Sequence, residues 1–460
     1  MAVPVSDTLV FFGATGDLAY KQIFPSLYGL IREGFDLPVI GVSLDGSIER
    51  LRERAGESLE HHGLTDKGAS EKLMELLRAV RGDYGDPATF ERLRKEMGEA
   101  KRPLHYLAIH PTMFARVVEG LAGSGCVENA RVVLEKPFGR DLASARELND
   151  ILHDHFPEEA IFRIDHYLGK EPVQNILYTR FANPVFEPIW NHHYVRSIQI
   201  TMAEEFGVEG RGKFYEEAGA IRDVLQNHML QILAALTMDP PVGGDHEAVR
   251  DEKGRLFKAI RPLTPADVVR GQFDGYLSEP GVRSGSTVET FATVKLAIEN
   301  WRWAGVPIFI RCGKKLPLTV TEILVEYKRP PRETFGEIVP VASSHVRIRI
   351  SPDITMSMGL RLKKPGERMA GQDVELTFVR QAADDMPAYQ RLLGDAMHGS
   401  SELFARQDSI EAQWRVVDAV LGNVTPLYSY RPGSWGPEEA YQLIGKHGPW
   451  HNPRPPEGKP

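Results

Sequence analysis

The sequence predicts two domains of different class: an N-terminal α/β domain on a doubly wound parallel sheet, and a C-terminal α+β domain. The second domain is expected to carry a large, mainly antiparallel sheet covered by helices on one face. Three observations predict this. The chain has 460 residues, more than one ordinary hydrophobic core organises. Its first third alternates short β-rich apolar runs with longer amphipathic ones, the pattern of a parallel sheet with helices on both faces. After about Phe181, strand-like segments dominate and alternate in polarity, as half-exposed antiparallel strands do. The boundary is placed to give domains 1–165 and 166–460.

In the first domain Thr8–Phe12, Val39–Val42, Leu104–Ala108, Arg131–Leu134 and Ile161–Ile164 read as strands. Lys21–Arg32, Ile48 to about Leu59, Thr112–Leu121 and Asp141–Leu152 carry apolar residues at helical spacing. In the second, Val195–Met202, Thr287–Glu299, Ile308–Arg311, Ile323–Tyr327, Val346–Ile350 and Asp373–Phe378 read as strands. Ala220–Thr237 and Ser409–Leu421 are the helices that interrupt them.

Composition excludes several classes. Apolar residues make up 42% and charged residues 26%, which is globular rather than disordered or fibrous. A net charge of −8 offers no basic excess for a nucleic-acid backbone. No stretch reaches the ~18 apolar residues of a membrane span, and the N-terminal residues lack the pattern of a secretory signal. The two cysteines, Cys126 and Cys312, form no metal-ligand spacing and read as lone buried thiols. A reducing, cytoplasmic setting is expected, with no nucleic-acid or membrane partner.

Three motifs carry chemistry. Gly13-Ala14-Thr15-Gly16-Asp17-Leu18-Ala19 joins the first strand to the first helix. Small residues there let a backbone approach a pyrophosphate at a helix N-terminus; a plain tight turn is the other reading. At the end of the second strand stands Asp45, where a carboxylate binds the ribose 2′-OH of NAD. Asp45 also suits a turn before Gly46. Arg163 to Glu171 packs Asp165, His166, Tyr167 and Lys170 behind a strand. His166 and Lys170, four apart, share a face if the segment turns helically, and such a pair suits a phosphate monoester; a solvated charged turn is the alternative.

Lys136, in Glu135-Lys136-Pro137-Phe138-Gly139, leaves another strand at the edge where such sheets bind ligands; it also suits a surface turn. Asp223, Asn227 and His228 lie in an otherwise apolar helix. His228 is there either a satisfied core histidine or a base. The pairs His61-His62 and His192-His193 lack the spacing of a metal site, and no metal is expected.

Taken in order, Gly13–Ala19, Glu135–Gly139, Arg163–Glu171, Glu209-Gly210-Arg211, Ile221–His228 and Arg311-Cys312-Gly313-Lys314 resemble glucose-6-phosphate dehydrogenase, over nearly the whole chain. The resemblance implies a Rossmann domain and oxidation of glucose 6-phosphate at C1 to 6-phosphogluconolactone, in the pentose phosphate pathway. It also implies hydride transfer to NADP or NAD, and a homodimer or homotetramer. It makes His228 the general base and Asp165 its orienting partner. His166, Tyr167 and Lys170, helped by Lys314, would hold the 6-phosphate; Glu204 and Asp223 would bind sugar hydroxyls. Tyr106 and Lys136 would line the cleft of cofactor and substrate. Gly13, Ala14, Thr15, Gly16, Asp17, Leu18 and Asp45 would face the cofactor. A related oxidoreductase acting on another sugar phosphate, or a non-catalytic nucleotide sensor, are the competing readings.

The chain departs from the family pattern at four places. Gln22 stands where a lysine is usual, and Leu44 stands where an arginine reads the 2′-phosphate of NADP. Ser351 replaces a glutamine that contacts substrate in some members. Thr319 and Val320 replace residues that hold an additional structural NADP in some members, so no such site is expected. Leu44 and Asp45 together lead to the expectation that NAD is accepted well.

Overall fold

The protein is described here as a computed structural model covering residues 5–243, 246–332, 335, 344–366, 369–380 and 386–455. The chain forms two compact units, each assembled from more than one stretch. The first holds the chain up to Glu171 together with Pro241–Asp251 and Met386–Glu411. The second holds Pro172–Pro240, Glu252–Asp385 and the chain from Ala412 onward.

The first unit contains strands β1 (Thr8–Phe12), β2 (Val39–Ser43), β3 (Leu77–Arg81), β4 (Pro103–Leu107), β5 (Arg131–Glu135) and β6 (Ile161–Ile164). Their order is β3-β2-β1-β4-β5-β6, and every neighbouring pair is parallel. Strand order reverses between β1 and β4, and it is outside the carboxyl ends at such a reversal that these sheets hold ligands. In β1, Leu9 and Phe11 join one apolar layer with helices Phe24–Arg32 and Ile48–His61. Val10 and Phe12 join the opposite layer with helix Phe114–Gly123. Burial on both faces explains the continuous apolar runs of the sequence.

The edge strand β3 is the exception. Arg78 and Arg81 are exposed along it, so its apolar run is broken and the sequence reading places no strand there. Charge on an edge discourages pairing with another chain.

The helix expected over Lys21–Arg32 begins as a π-helical turn, Ala19–Ile23, and continues as α-helix Phe24–Arg32. Pro25 has no N–H to donate to the preceding turn, and it stands where the π-helical turn gives way to α-helix. Helix Ala388–His398, absent from the sequence reading, gives Leu392, Leu393, Ala396 and Met397 to the layer that contains Leu27 and Tyr28.

The second unit is built on a nine-stranded sheet. Its strands are β7 (Val195–Ala203), β8 (Val268–Phe273), β9 (Phe291–Leu296), β10 (Ile308–Gly313), β11 (Val320–Tyr327), β12 (His345–Ser351), β13 (Ile354–Lys363), β14 (Gly371–Arg380) and β15 (Leu427–Tyr430). The order is β14-β13-β12-β11-β7-β10-β9-β8-β15. Only β10 on β7 and β15 on β8 run parallel among the described residues. Helix Leu230–Thr237 is buried along its whole length. Among the described residues, no helix is long and apolar enough to cross a membrane.

Candidate active site

The loop after β1 is shaped by a glycine that nothing else could replace. Gly13 has φ +79°, and a Cβ on it would lie 2.2 Å from the Ala108 carbonyl oxygen. Its N–H donates to the Val42 carbonyl (3.0 Å) and to the Tyr84 hydroxyl (2.8 Å). Tyr84 donates in turn to Val42 (3.0 Å), so the loop is pinned to the end of β2. Gly16 N–H closes the turn on the Gly13 carbonyl (2.9 Å), and Gly16 accepts from Tyr20 N–H (3.1 Å) as the helix begins. The N–H groups of a first helical turn have no carbonyl of their own helix to reach. A small-residue cradle opening on them fits a dinucleotide pyrophosphate.

Beside this cradle, Thr15 Oγ1 donates to Asp45 Oδ1 (2.9 Å). That hydrogen bond is the main reason the Asp45 carboxyl titrates below its usual range. Leu44, the residue before it, is 66% exposed, an unusual place for a large apolar side chain. Asp17 is exposed and lies near Lys21 and Arg54, while Leu18 packs against the first unit's core.

The turn after β6 separates its residues by role. Arg163 is 1% exposed; its guanidinium donates to both oxygens of Glu158 (2.8 and 3.0 Å) and to Asn149 (2.9 Å). It holds the strand end and is no part of a ligand grip. Asp165 accepts from Tyr167 N–H (3.0 Å), and the carbonyls of Asp165 and Tyr167 accept from Leu168 and Lys170. The segment therefore folds as consecutive tight turns rather than as helix. Lys170 Nζ lies 3.8 Å from the Tyr167 ring centroid, and the His166 ring meets that ring edge-on at 5.0 Å. His166, Tyr167 and Lys170 are thus brought together around one aromatic ring, and all three side chains can donate to an anion.

Beneath them lies a buried carboxyl. Glu135, the last residue of β5, accepts from the Tyr106 hydroxyl (2.6 Å) and from the Tyr389 hydroxyl (3.5 Å). The Tyr389 ring stacks on His166 at 6.3 Å and 14°. Burial pushes the Glu135 carboxyl up to about 7, against the opposing pull of Tyr106, Lys136 and Tyr389, and Asp165 adds to the rise. Tyr106 is itself buried, and burial beside Glu135 pushes its hydroxyl well above the usual range. Next, Lys136–Pro137 is a cis bond. Gly139, at φ +83°, would place a Cβ 2.5 Å from Ala145 N, so only glycine lets helix Leu142–His153 come this close.

In the second unit, Asp223, Asn227 and His228 lie on a π-helical segment, Ile221–Met229. Its i→i+5 ladder sets Asp223 and His228 one turn apart, and such segments gather at functional sites. His228 is 4% exposed. The segment starts abruptly: Gly219 has φ +64° and ψ 176°, and a Cβ there would meet Glu289 Oε1 at 2.5 Å. Glu289 accepts from Ala220 N–H through its carbonyl (3.0 Å) and from Ile221 N–H through its carboxylate (3.1 Å). Buried Arg270 pairs with that carboxylate at 3.3 Å. Elsewhere in this unit Lys314 Nζ bonds Glu204 Oε2 at 2.6 Å, with the Phe206 and Tyr215 rings beside it. Thr319 accepts from Glu205 N–H (3.1 Å).

Tyr84, Tyr389, Arg270 and Glu289 have no place in the sequence analysis, and Glu135 enters it only as the first residue of a motif, with no role. Each acts through a partner remote in the chain, and only Gly219-Ala220 ahead of a polar helix hinted at a tight junction.

Comparison with known proteins bears directly on these two constellations. The glucose-6-phosphate dehydrogenase NAD binding domain matches residues 10–175, and the C-terminal domain of the same family matches residues 177–451. The chain belongs to the glucose-6-phosphate dehydrogenase family. It is 43% identical over 458 residues, 98% of both chains, to glucose-6-phosphate 1-dehydrogenase 1 of Mycobacterium tuberculosis. It is 40% identical to glucose-6-phosphate 1-dehydrogenase of Aggregatibacter actinomycetemcomitans, with 97% of each covered. The crystal structure of glucose-6-phosphate 1-dehydrogenase from Mycobacterium avium superposes with a TM-score of 0.92 at 42% identity, covering 98% of this chain and 100% of that one. A glucose-6-phosphate dehydrogenase solved in complex with glucose 6-phosphate gives 0.89 at 34% identity, with the same coverage.

The Glu135 carboxyl generates a prediction for this family member. From about 4.5 to about 7, the folded chain retains a proton that the unfolded chain releases, so this group costs stability as pH rises through that window. The span corresponds to on the order of 3 kcal/mol. Glu135→Gln should flatten that part of the curve when urea unfolding is measured at about pH 5 and about pH 8. Equal pH dependence in the two proteins would contradict a neutral buried Glu135.

Proposed function

We propose that this chain oxidises D-glucose 6-phosphate at C1 to 6-phosphogluconolactone, using NAD as well as NADP. The observation that carries the substrate is the His166, Tyr167 and Lys170 cluster after β6, in a chain whose relatives at this identity bear that activity in their names. A phosphate monoester suits a lysine ammonium set beside imidazole and phenol donors, each able to give it a charge-assisted hydrogen bond.

The residues divide the work as follows. His166, Tyr167 and Lys170 anchor the 6-phosphate, with Lys314 assisting, and Glu204 and Asp223 bind sugar hydroxyls. His228 takes the C1 hydroxyl proton, and Asp165 orients the imidazole and stabilises it once charged. Removing that proton as hydride departs avoids building positive charge at C1, a contribution of typically 10²–10⁴-fold. Glu135 fixes the Tyr389 ring on which His166 stacks, and Tyr106 acts from below through the same carboxyl. The loop Gly13–Leu18 would hold the cofactor pyrophosphate, and Lys136 would line the cleft. A bound nicotinamide supplies the hydride acceptor. No proton or charge in this scheme requires a metal.

NAD use is supported by Leu44 in place of a cation and by Asp45, which Thr15 holds at the end of β2. Such a carboxylate is suited to a ribose 2′-OH. A homodimer, or a tetramer built from it, is supported by the outer strands of the second unit. Leu360 and Leu362 on β13 share a face with Leu376 and Phe378 on β14 by register, and all four are exposed, which marks an interaction surface. A cytoplasmic setting is supported by two buried cysteines that are both free.

Reduced-nicotinamide absorbance should rise when glucose 6-phosphate is supplied with either cofactor; no rise with either rejects the proposal. His228→Asn should lower kcat by at least ~10²-fold with little change in KM. Unchanged kcat removes His228 from the base role. Lys170→Ala should raise KM for glucose 6-phosphate by ~10-fold or more while leaving turnover of free glucose nearly as it was. A loss equal for both sugars argues against the phosphate grip.

A further inference from the structure

Arg81, at the last position of edge strand β3, is the one residue of its turn with a cationic group held against Leu44. Its Nε donates to the Leu44 carbonyl oxygen at 3.2 Å. That bond lays the guanidinium alongside the residue following β2, where the side chain is apolar and exposed. Both terminal nitrogens of Arg81 are without a partner among the described residues; Lys95 also lines the groove, but the charges next to Arg81 have partners of their own. Arg92 donates to the Arg81 carbonyl (3.2 Å) and to Thr89 (3.2 Å), and lies 3.8 Å from Asp86. Glu96 faces Arg78 at 3.8 Å, and Asp83 accepts from Gly85 N–H at 2.7 Å. Between them lies an open groove of about 760 Å³, bounded by Leu44 on one side and by Arg81 to Asp83 on the other.

We propose that Arg81 reads the 2′-phosphate of NADP in this chain, taking over from β3 the role that position 44 cannot fill. The inference rests on the cofactor reading above. A dinucleotide whose pyrophosphate sits at Gly13–Gly16 directs its adenine-side ribose to the end of β2. There, Asp45 is turned towards the loop by Thr15, which suits the ribose hydroxyls. The Arg81 guanidinium, held at Leu44 through Nε in the groove that Leu44 also lines, keeps its two terminal nitrogens as donors, the arrangement that grips a phosphate dianion. The tether through Nε matters because it restrains the long side chain before the ligand arrives, so less freedom is lost on binding. One cation from a neighbouring strand, combined with a carboxylate at the usual position, explains how a single groove serves both cofactors.

The test compares wild type with Arg81→Gln, an exposed substitution with little reach into the core, using equilibrium binding as well as rate. By titration calorimetry, the wild-type protein should bind adenosine 2′,5′-bisphosphate more tightly than adenosine 5′-monophosphate. Arg81→Gln should weaken the bisphosphate by about 10-fold or more and change the monophosphate less than about 2-fold. The selectivity of kcat/KM for NADP over NAD should fall by the same factor. Equal weakening of both nucleotides would make Arg81 an adenine or structural contact and overturn the proposal. Unchanged bisphosphate affinity would overturn it too. If glucose 6-phosphate supports no turnover while the binding difference is present, the substrate reading fails and this one stands.

Discussion

The buried carboxyl of Glu135 joins three parts of the first unit that lie far apart in sequence: the β4 residue Tyr106, the end of β5, and the helix that begins at Ala388. Burying a carboxyl is unfavourable, and here its proton affinity rises in response. Two tyrosine hydroxyls offset part of that cost, and burial next to the carboxyl raises the Tyr389 hydroxyl in turn. Because the Tyr389 ring lies on His166, the orientation of a side chain proposed to bind the substrate phosphate depends on a carboxyl that is itself buried. This is how a rigid site is made from a turn: the residues that touch ligand are held by others that do not.

The second unit follows the same rule with different chemistry. Its π-helical segment is attached at Gly219 and gripped by Glu289, whose charge is balanced by Arg270. Arg270 also donates to the carbonyl of Thr425 at 3.1 Å and to the side chain of Asn423 at 3.3 Å. A buried ion pair adds little net stability. Its value here is positional, since it fixes where a helix with an irregular register starts. In both units an ionisable group out of water specifies geometry that apolar packing alone would leave loose.

Much of this was readable in the amino-acid order, and the exceptions have physical causes. Five of the six parallel strands announce themselves because they are apolar on both faces, while β3 hides behind the arginines its edge position demands. β13 hides because its second half is exposed and ends Leu-Arg-Leu-Lys. The residues proposed to bind phosphate are contiguous and therefore visible, and the structure gives them two successive i→i+3 turns, Leu168 N–H to Asp165 and Lys170 N–H to Tyr167, in place of a helical turn. Both π segments read as plain helix in the sequence, since a register change leaves apolar spacing almost untouched over so few residues. Arg163 looked like part of the charged cluster, and only its burial reveals that it braces the strand.

The helix Ala388–His398 has a consequence for biosynthesis. Its side chains complete the apolar layer that Leu27, Tyr28 and Leu30 begin, and Gln390 reaches Glu33 at 2.7 Å. A ribosome emits the glycine loop and all six parallel strands long before that helix. Through most of translation one layer of the nascent nucleotide-binding sheet is incomplete and faces water, and such surface attracts chaperones or other nascent chains. The N-terminal third is therefore not a self-sufficient module that could be moved into another protein by cutting after β6. Any graft of it must carry the late helix along.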